Sequence, residues 1–271
     1  MRLFKMAAVV GAAVAVLIGA AGNGSAAEQD FGKPVSNGDR SLVSQGFEAQ
    51  RTSGTNAFYE INAYGELNYW TRSAGSYDRQ VRGNGWNNTK QITALSENLL
   101  LELKGNDNLS LWTWNGSFFT EQGVGTGWSP TRLISGIASD RFIEVKQSGT
   151  LSLWRFTGAG LQETNIGSGW QPARLIGGLT GNAGGEEIVD FIEINDSGAT
   201  AEWVKNSTGF HRAEFINLNL SDVRMLAGID VNHFVVVATG GQLVEFAYDG
   251  NAEVWNVTEV GSGWQGSRLI G

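Results

Sequence analysis

Trp86, Trp128, Trp170 and Trp264 each close a Gly-x-Gly-Trp tetrapeptide, and four residues after each stands a base: Lys90, Arg132, Arg174 and Arg268. An indole presents a large flat face on which a sugar ring can stack. The glycine just before it (Gly85, Gly127, Gly169 or Gly263) offers a backbone N–H with no side chain in the way. The base adds donors for hydroxyl groups. Together these are the parts of a weak, non-catalytic carbohydrate site, present four times. The structural reading of the same residues is that Trp and Gly fasten neighbouring units together, since buried indoles are common core material.

Carboxylates recur on a second spacing. Glu60, Glu102, Glu144 and Glu193 sit in the runs Phe58–Ile61, Leu100–Leu103, Phe142–Val145 and Phe191–Ile194, with Val236 at the same place in Phe234–Val237. Their number nearly matches that of the bases, so cross-strand pairing with those bases is the expected arrangement. A carboxylate ring around a central channel, able to hold a cation, is the alternative. Glycosidase catalysis needs two carboxylates in distinct environments, and repeat-equivalent glutamates have similar ones. His211 and His233 are the only histidines. No Ser/His/Asp spacing, zinc motif or phosphate loop is present. The chain is expected not to be an enzyme and to carry no metal and no cofactor.

These residues must be placed by a repeat. Arg224–Gly228 matches Arg174–Gly178, which puts Leu220 in the tryptophan position and gives five marks, at 86, 128, 170, 220 and 264. The Phe-x-Glu-x runs confirm the count. Seven residues after each begins comes a turn former: Gly65, Asp107, Gly149, Gly198 or Gly241. Twelve residues after each stands an aromatic: Trp70, Trp112, Trp154, Trp203 or Phe246. Those aromatics are expected in inter-unit packing, and Trp114, outside the repeat, at the surface. Strand, turn, strand is a hairpin signature. One unit reads as four strands, the size of a propeller blade. The first unit lacks its opening strand, and Arg268-Leu269-Ile270-Gly271 is that strand. The expected fold is all-β: a five-bladed β-propeller of four-stranded blades, closed by the C-terminal strand completing the first blade. Closure removes exposed sheet edges. An insertion, Gly177–Gly185, is expected as a surface loop lengthening the third-to-fourth connection.

On the motif Ile166-Gly167-Ser168-Gly169-Trp170 and the base four residues on, residues 54–271 resemble the tachylectin family of lectins, five-bladed propellers with an Ile-Gly-x-Gly-Gly-Trp element. The unit is also similar to FG-GAP/VCBS-type repeats of secreted bacterial proteins. The tachylectin resemblance implies sugar sites between blades. The Asn-Asp-Asn-Trp-like run of that family is missing here. So is the Asp-rich calcium loop of the FG-GAP type: Leu95–Asn98 and Ser135–Arg141 hold at most one or two acids, whereas calcium takes six or more oxygens.

Residues 1–27 read as a signal peptide: Arg2 and Lys5, an apolar run from Met6 to Ala21, then Gly24–Ala27. The chain is expected to be secreted, extracellular or periplasmic, after cleavage. Residues 28–53 read as a polar linker or tail, and 54–271 as the propeller. Without cysteine there is neither a disulfide nor a lipid-anchored thiol. The mature chain carries 17 Lys and Arg against 27 Asp and Glu, a net of −10. That argues against nucleic acid or membrane insertion and leaves neutral ligands open. Sequons occur at Asn87, Asn108, Asn206 and Asn256 and matter only in a glycosylating host. The functional expectation is a lectin-like protein whose partners are glycans or cell-surface carbohydrate. The alternative is a propeller that docks one protein partner on a ring face.

Overall fold

The turn former of each unit takes a left-handed backbone conformation, with φ of 74° at Gly65, 64° at Asp107, 78° at Gly149 and 84° at Gly198 and Gly241. Glycine adopts this freely, and aspartate is among the few other residues that tolerate it. Each turn sets the second strand of a unit antiparallel to the third. The computed structural model describes residues 34–35, 56–73, 75–179 and 188–271. Among them are β1 (Ala57–Asn62), β2 (Leu67–Ser73) and β3 (Ser76–Gly83). The second blade comprises β4 (Thr89–Ser96), β5 (Leu99–Lys104), β6 (Leu109–Trp114) and β7 (Phe119–Gly125). The third comprises β8 (Thr131–Ala138), β9 (Arg141–Lys146), β10 (Leu151–Thr157) and β11 (Gly160–Gly167). The fourth comprises β12 (Ala173–Gly178), β13 (Val189–Asn195), β14 (Ala199–Asn206) and β15 (Gly209–Asn219). The fifth comprises β16 (Val223–Asp230), β17 (His233–Ala238), β18 (Leu243–Asp249) and β19 (Val254–Gly261). The last strand, β20 (Ser267–Ile270), joins the first sheet in the order β20-β1-β2-β3.

The fold is therefore all-β, five antiparallel four-stranded blades, with the C-terminal strand completing the first, as the repeat predicts. The register repeats as well. Phe58 pairs with Trp70, Leu100 with Trp112, Phe142 with Trp154, Phe191 with Trp203 and Phe234 with Phe246. A bulge recurs where the third strand meets the fourth, between Leu67 and Asn68, Leu109 and Ser110, Leu151 and Ser152, and Leu243 and Val244. Such a bulge bends the outer strand, and here it steers the chain into Gly-x-Gly-Trp.

The innermost strands β4, β8, β12, β16 and β20 meet around the axis. They approach so closely that a side chain on Gly136 would overlap the Ala94 carbonyl. One on Gly178 would overlap the carbonyl of Gly136, and one on Gly228 that of Gly178. Hydroxyls tie two of these neighbours: Thr93 Oγ1 and Ser135 Oγ accept the N–H groups of Gly136 and Gly178, both at 2.7 Å. The channel is lined by these strands and holds about 20 Å³, room for one water.

Two expectations fail at this point. The glutamates form no ring around the channel, because they lie one strand further out. Nor do they pair with the first-strand bases. Arg132, Arg174, Arg224 and Arg268 reach into the next blade instead. There each donates to two carbonyls: Ala173 and Trp170, Val223 and Leu220, Ser267 and Trp264, Thr89 and Trp86. Charge-assisted bonds of this kind are worth about 1.5–3 kcal/mol each, less where the guanidinium stays half exposed, as these do. Lys90 is the exception and pairs with Asp107. At its junction the Gln91 amide spans the gap, donating to the Arg132 carbonyl and accepting from the Ile134 N–H, both at 2.9 Å.

The insertion lies within the fourth blade, not between blades. Gly177 and Gly178 belong to β12, and the Leu179 N–H donates to the Asp190 carbonyl at 2.9 Å. Residues 180–187 lie outside the described residues, as does the expected signal peptide. In the stretch expected as linker or tail, Val35 exchanges two backbone hydrogen bonds with Trp255 on the edge strand β19, each of 2.7 Å. No helix among the described residues is long and apolar enough to cross a membrane.

The seam between the fifth and first blades carries an ion pair of its own. Arg72 on β2 donates from Nε and Nη2 to the buried Glu245 on β18, at 2.7 and 2.9 Å, and Tyr77 Oη donates to the same carboxylate at 2.6 Å. Glu245→Gln removes the charge that this bidentate guanidinium faces. It is expected to cost about 2–4 kcal/mol of unfolding free energy, read as a lower midpoint in urea. Glu214→Gln at the exposed Arg212–Glu214 pair serves as control and should change stability by less than about 0.5 kcal/mol.

Candidate functional site

Each Gly-x-Gly-Trp is a turn that drops an indole into the junction between two blades. The first glycine is required by contact: a Cβ at Gly83, Gly167 or Gly261 would lie 2.9, 3.0 or 3.1 Å from the Nε1 of its own tryptophan. The second is required by conformation, with φ of 87° at Gly85, 79° at Gly127, 88° at Gly169 and 85° at Gly263. The tryptophan N–H then donates to the carbonyl of the hairpin turn former, Gly65, Asp107, Gly149 or Gly241, at 3.0 Å each, and the Leu220 N–H donates likewise to Gly198 at 2.8 Å. The motif tryptophans are buried. Each packs against the mid-strand indole of the blade it enters: Trp86 on Trp112 at 4.8 Å, Trp128 on Trp154 at 4.7 Å, Trp170 on Trp203 at 4.8 Å and Trp264 on Trp70 at 4.6 Å.

The glutamates belong to this pair. Glu60, Glu102, Glu144 and Glu193 accept from Nε1 of Trp70, Trp112, Trp154 and Trp203 at 2.7–2.8 Å. The second carboxylate oxygen takes a hydroxyl from the residue three after the motif tryptophan: Ser267 to Glu60, Thr89 to Glu102 and Thr131 to Glu144. Buried carboxylates need such partners. In the fourth blade Ala173 holds that position and offers none. Burial there pushes the Glu193 carboxyl above the ordinary carboxylate range, against the opposing pull of the Trp203 N–H and the Arg212 charge.

In the second and third blades an ammonium stands beside the exposed side of the mid-strand indole. Lys104 lies 5.3 Å from the Trp112 ring and Lys146 lies 5.7 Å from Trp154. Each is held by a glutamate on the outer strand, Glu121 or Glu163, which also accepts from Ser110 or Ser152. The Lys104 ammonium holds the Glu121 carboxyl low, against desolvation. For Glu163 burial pushes upward, but Lys146 and Ser152 outweigh it and the net direction is down. Two clefts open here. One, about 580 Å³, lies between the first and second blades and includes Gly85, Trp86, Glu102, Lys104 and Trp112. The other, about 310 Å³, lies between the second and third and includes Gly127, Trp128, Glu144, Lys146, Trp154 and Glu163.

The other junctions differ. In the first and fourth blades Asn62 and Asn195 replace the lysine, and Arg79 and Arg212 face the mid-strand indole in place of the glutamate. At the entry to the fifth blade every polar member is gone: Leu220, Val223, Val236, Ala238, Phe246 and Val257 hold the equivalent positions. Trp255, fully buried, fills that junction, 5.1 Å from Phe234 and 5.7 Å from Phe215, and Val35 packs against the same cluster.

Of the residues expected to bind ligand, Gly85, Trp86, Gly127 and Trp128 line the two clefts. Gly169, Trp170, Gly263 and Trp264 have the same local geometry at the junctions before the fourth and first blades. The bases point elsewhere: Arg132, Arg174 and Arg268 are engaged by the next blade's carbonyls, and Lys90 by Asp107. Sequence reasoning assigned Trp112 and Trp154 to packing and gave Lys104, Lys146, Glu121 and Glu163 no role. The signal was there in the shared phase of Lys104 and Lys146, two residues after Glu102 and Glu144. Trp114, expected at the surface, is half-buried, 5.1 Å from Phe119 and 4.9 Å from the Arg82 guanidinium.

No protein-family model matches the sequence, and no curated protein matches it either. Solved structures do. Prp20p from Saccharomyces cerevisiae, which has binding properties for Gsp1p and histones, is 11% identical over 77% of this chain and 62% of that chain, with a TM-score of 0.42. The SapL1 lectin in complex with alpha methyl fucoside is 12% identical over 81% and 85%, with a TM-score of 0.48. AofleA from Arthrobotrys oligospora is 9% identical over 77% and 72%, with a TM-score of 0.44. The chain spans only 52% of yeast RCC1 (Prp20) in its complex with Kap60. Function is therefore read from the clefts themselves.

Ala173→Ser restores the hydroxyl found at Ser267, Thr89 and Thr131. It is expected to bring the Glu193 carboxyl down toward the ordinary range, observed by NMR titration of its side-chain carbon. A raised carboxyl loses stability as pH rises from the unfolded-state value through its own. The variant should therefore be more stable than the parent at pH 7, by about 1 kcal/mol for one added hydrogen bond.

Proposed function

We propose that this chain is a secreted, non-catalytic carbohydrate-binding protein that works through the clefts before its second and third blades. The observation that carries this reading is the contrast between junctions. At the entry to the fifth blade, apart from the Arg174 clamp on the Val223 and Leu220 carbonyls, the side chains that fill the junction are aliphatic and aromatic. The ring thus has an apolar solution. Keeping a buried carboxylate, a half-exposed indole and a lysine–glutamate pair at other junctions costs desolvation that packing does not require.

The chemistry of the clefts suits a polyhydroxylated ring. Trp112 and Trp154 offer an aromatic surface for its C–H face. The ammonium of Lys104 or Lys146 donates to hydroxyls, the carboxylate beside it accepts from them, and the glycines of the motif leave backbone donors open. Concave, mostly apolar sites with a few fixed polar groups are the usual form of a small-molecule site. Several weak sites on one ring would act together on a glycan-coated surface.

The test is calorimetry and intrinsic tryptophan fluorescence against a monosaccharide panel and a glycan array. Saturable binding is expected with more than one site per chain. The double variant Lys104→Met, Lys146→Met leaves the indole packing in place and should weaken that binding roughly tenfold, the loss of one charge-assisted hydrogen bond per site. A flat response across panel and array, with one protein partner bound at a single site, would make the chain a docking propeller instead.

A further inference from the structure

The two open clefts are not copies of each other. We infer that the cleft between the first and second blades is a two-unit groove that takes a disaccharide or longer glycan, whereas the cleft between the second and third blades takes a single sugar unit. This rests on the carbohydrate reading above and extends it to ligand length.

The difference is visible position by position. Both clefts share the motif glycines, the indole pair, the buried glutamate and the lysine. Four residues before the motif tryptophan, Val124 in the smaller cleft is replaced by Arg82 in the larger. Two residues after it, Pro130, which has no N–H, is replaced by Asn88. On the outer strand Leu161 is replaced by Phe119, and the preceding residue, Gly160 in the third blade, is Phe118 in the second. The larger cleft has nearly twice the volume, 580 against 310 Å³.

These replacements lengthen the aromatic floor. From Trp112 it runs to Phe119 at 6.4 Å, both of them lining the cleft. Phe118 stands at the rim, 62% exposed. A lone exposed phenylalanine needs no explanation, but this one lines a cleft and is held on an ordered turn. Its N–H donates to Asn115 Oδ1 at 3.0 Å, and its carbonyl accepts from the Asn115 N–H at 3.2 Å. Arg82 is equally fixed. Its guanidinium lies 3.5 Å from the Tyr69 ring centre and donates to Tyr59 Oη at 2.6 Å and to the Glu97 carbonyl at 3.0 Å. A preorganised planar cation and an ordered aromatic beyond the first indole form a second subsite at little ordering cost on binding.

Calorimetry with the full chain tests this, using methyl glycosides of single sugars and the disaccharides that end in the same sugar. The disaccharide is expected to bind the larger cleft more tightly than its terminal unit. Phe118→Ala should weaken the disaccharide about fivefold, the size of one aromatic contact, and leave the methyl glycoside unchanged. Equal affinity for the two ligands in the parent, or no effect of Phe118→Ala on the disaccharide, would overturn the two-unit groove while leaving the carbohydrate reading standing. No binding of either ligand would overturn both.

Discussion

The constraint on which the rest depends is the close approach of the five innermost strands. A ring of this size leaves no room for a Cβ between β8 and β4, β12 and β8, or β16 and β12, so Gly136, Gly178 and Gly228 stand where the backbone of one blade touches the next. With the strands so near, an arginine at the start of one inner strand reaches the carbonyls at the start of the next. The clamp then holds the very turn that carries the next motif tryptophan, because Trp170, Trp264 and Trp86 supply one of the two acceptors. Ring closure and cleft geometry are thus parts of one network.

Further from the axis the blades splay, and each junction must be filled. Three junctions do so with an indole pair over a buried carboxylate that is satisfied on both oxygens, by an indole N–H and a hydroxyl. A fourth lacks the hydroxyl and leaves its glutamate raised in pKa. The fifth replaces the carboxylate and its partners with Trp255 and its aromatic neighbours, and there the edge strand is also covered by Val35. The two clefts that combine lysine, glutamate and indole lie side by side, in the second and third blades.

The seam between the fifth and first blades has to resist opening without a covalent link. It uses the Arg72–Glu245–Tyr77 cluster together with Trp264 packed on Trp70 and Phe58. A buried bidentate pair gives fixed geometry more than net stability, which suits a seam that must close in one register.

The blade count, the four-strand unit, the degenerate copy at Leu220 and the completion of the first blade by β20 were legible in the sequence, since all follow from constant offsets along one chain. The glycines of Gly-x-Gly-Trp were legible as necessary, but for a reason only the structure supplies: one gives way to the tryptophan's own ring nitrogen and the other takes a positive φ. The partners of the charged residues were not legible. Similar counts of glutamate and arginine suggested that they pair. Yet Glu102 meets Trp112 across a hairpin, while Arg132 reaches a neighbouring blade 38 residues on. How deeply each tryptophan is buried was equally hidden, because the motif indole and the mid-strand indole pack against each other at 44–63° and only their placement in the junction decides which is the more exposed. By itself the sequence determined the repeat and hence the ring, because periodicity is a property of one chain. Tertiary structure alone decided which repeated groups meet in a cleft, because that depends on distances between blades that no offset along the chain encodes.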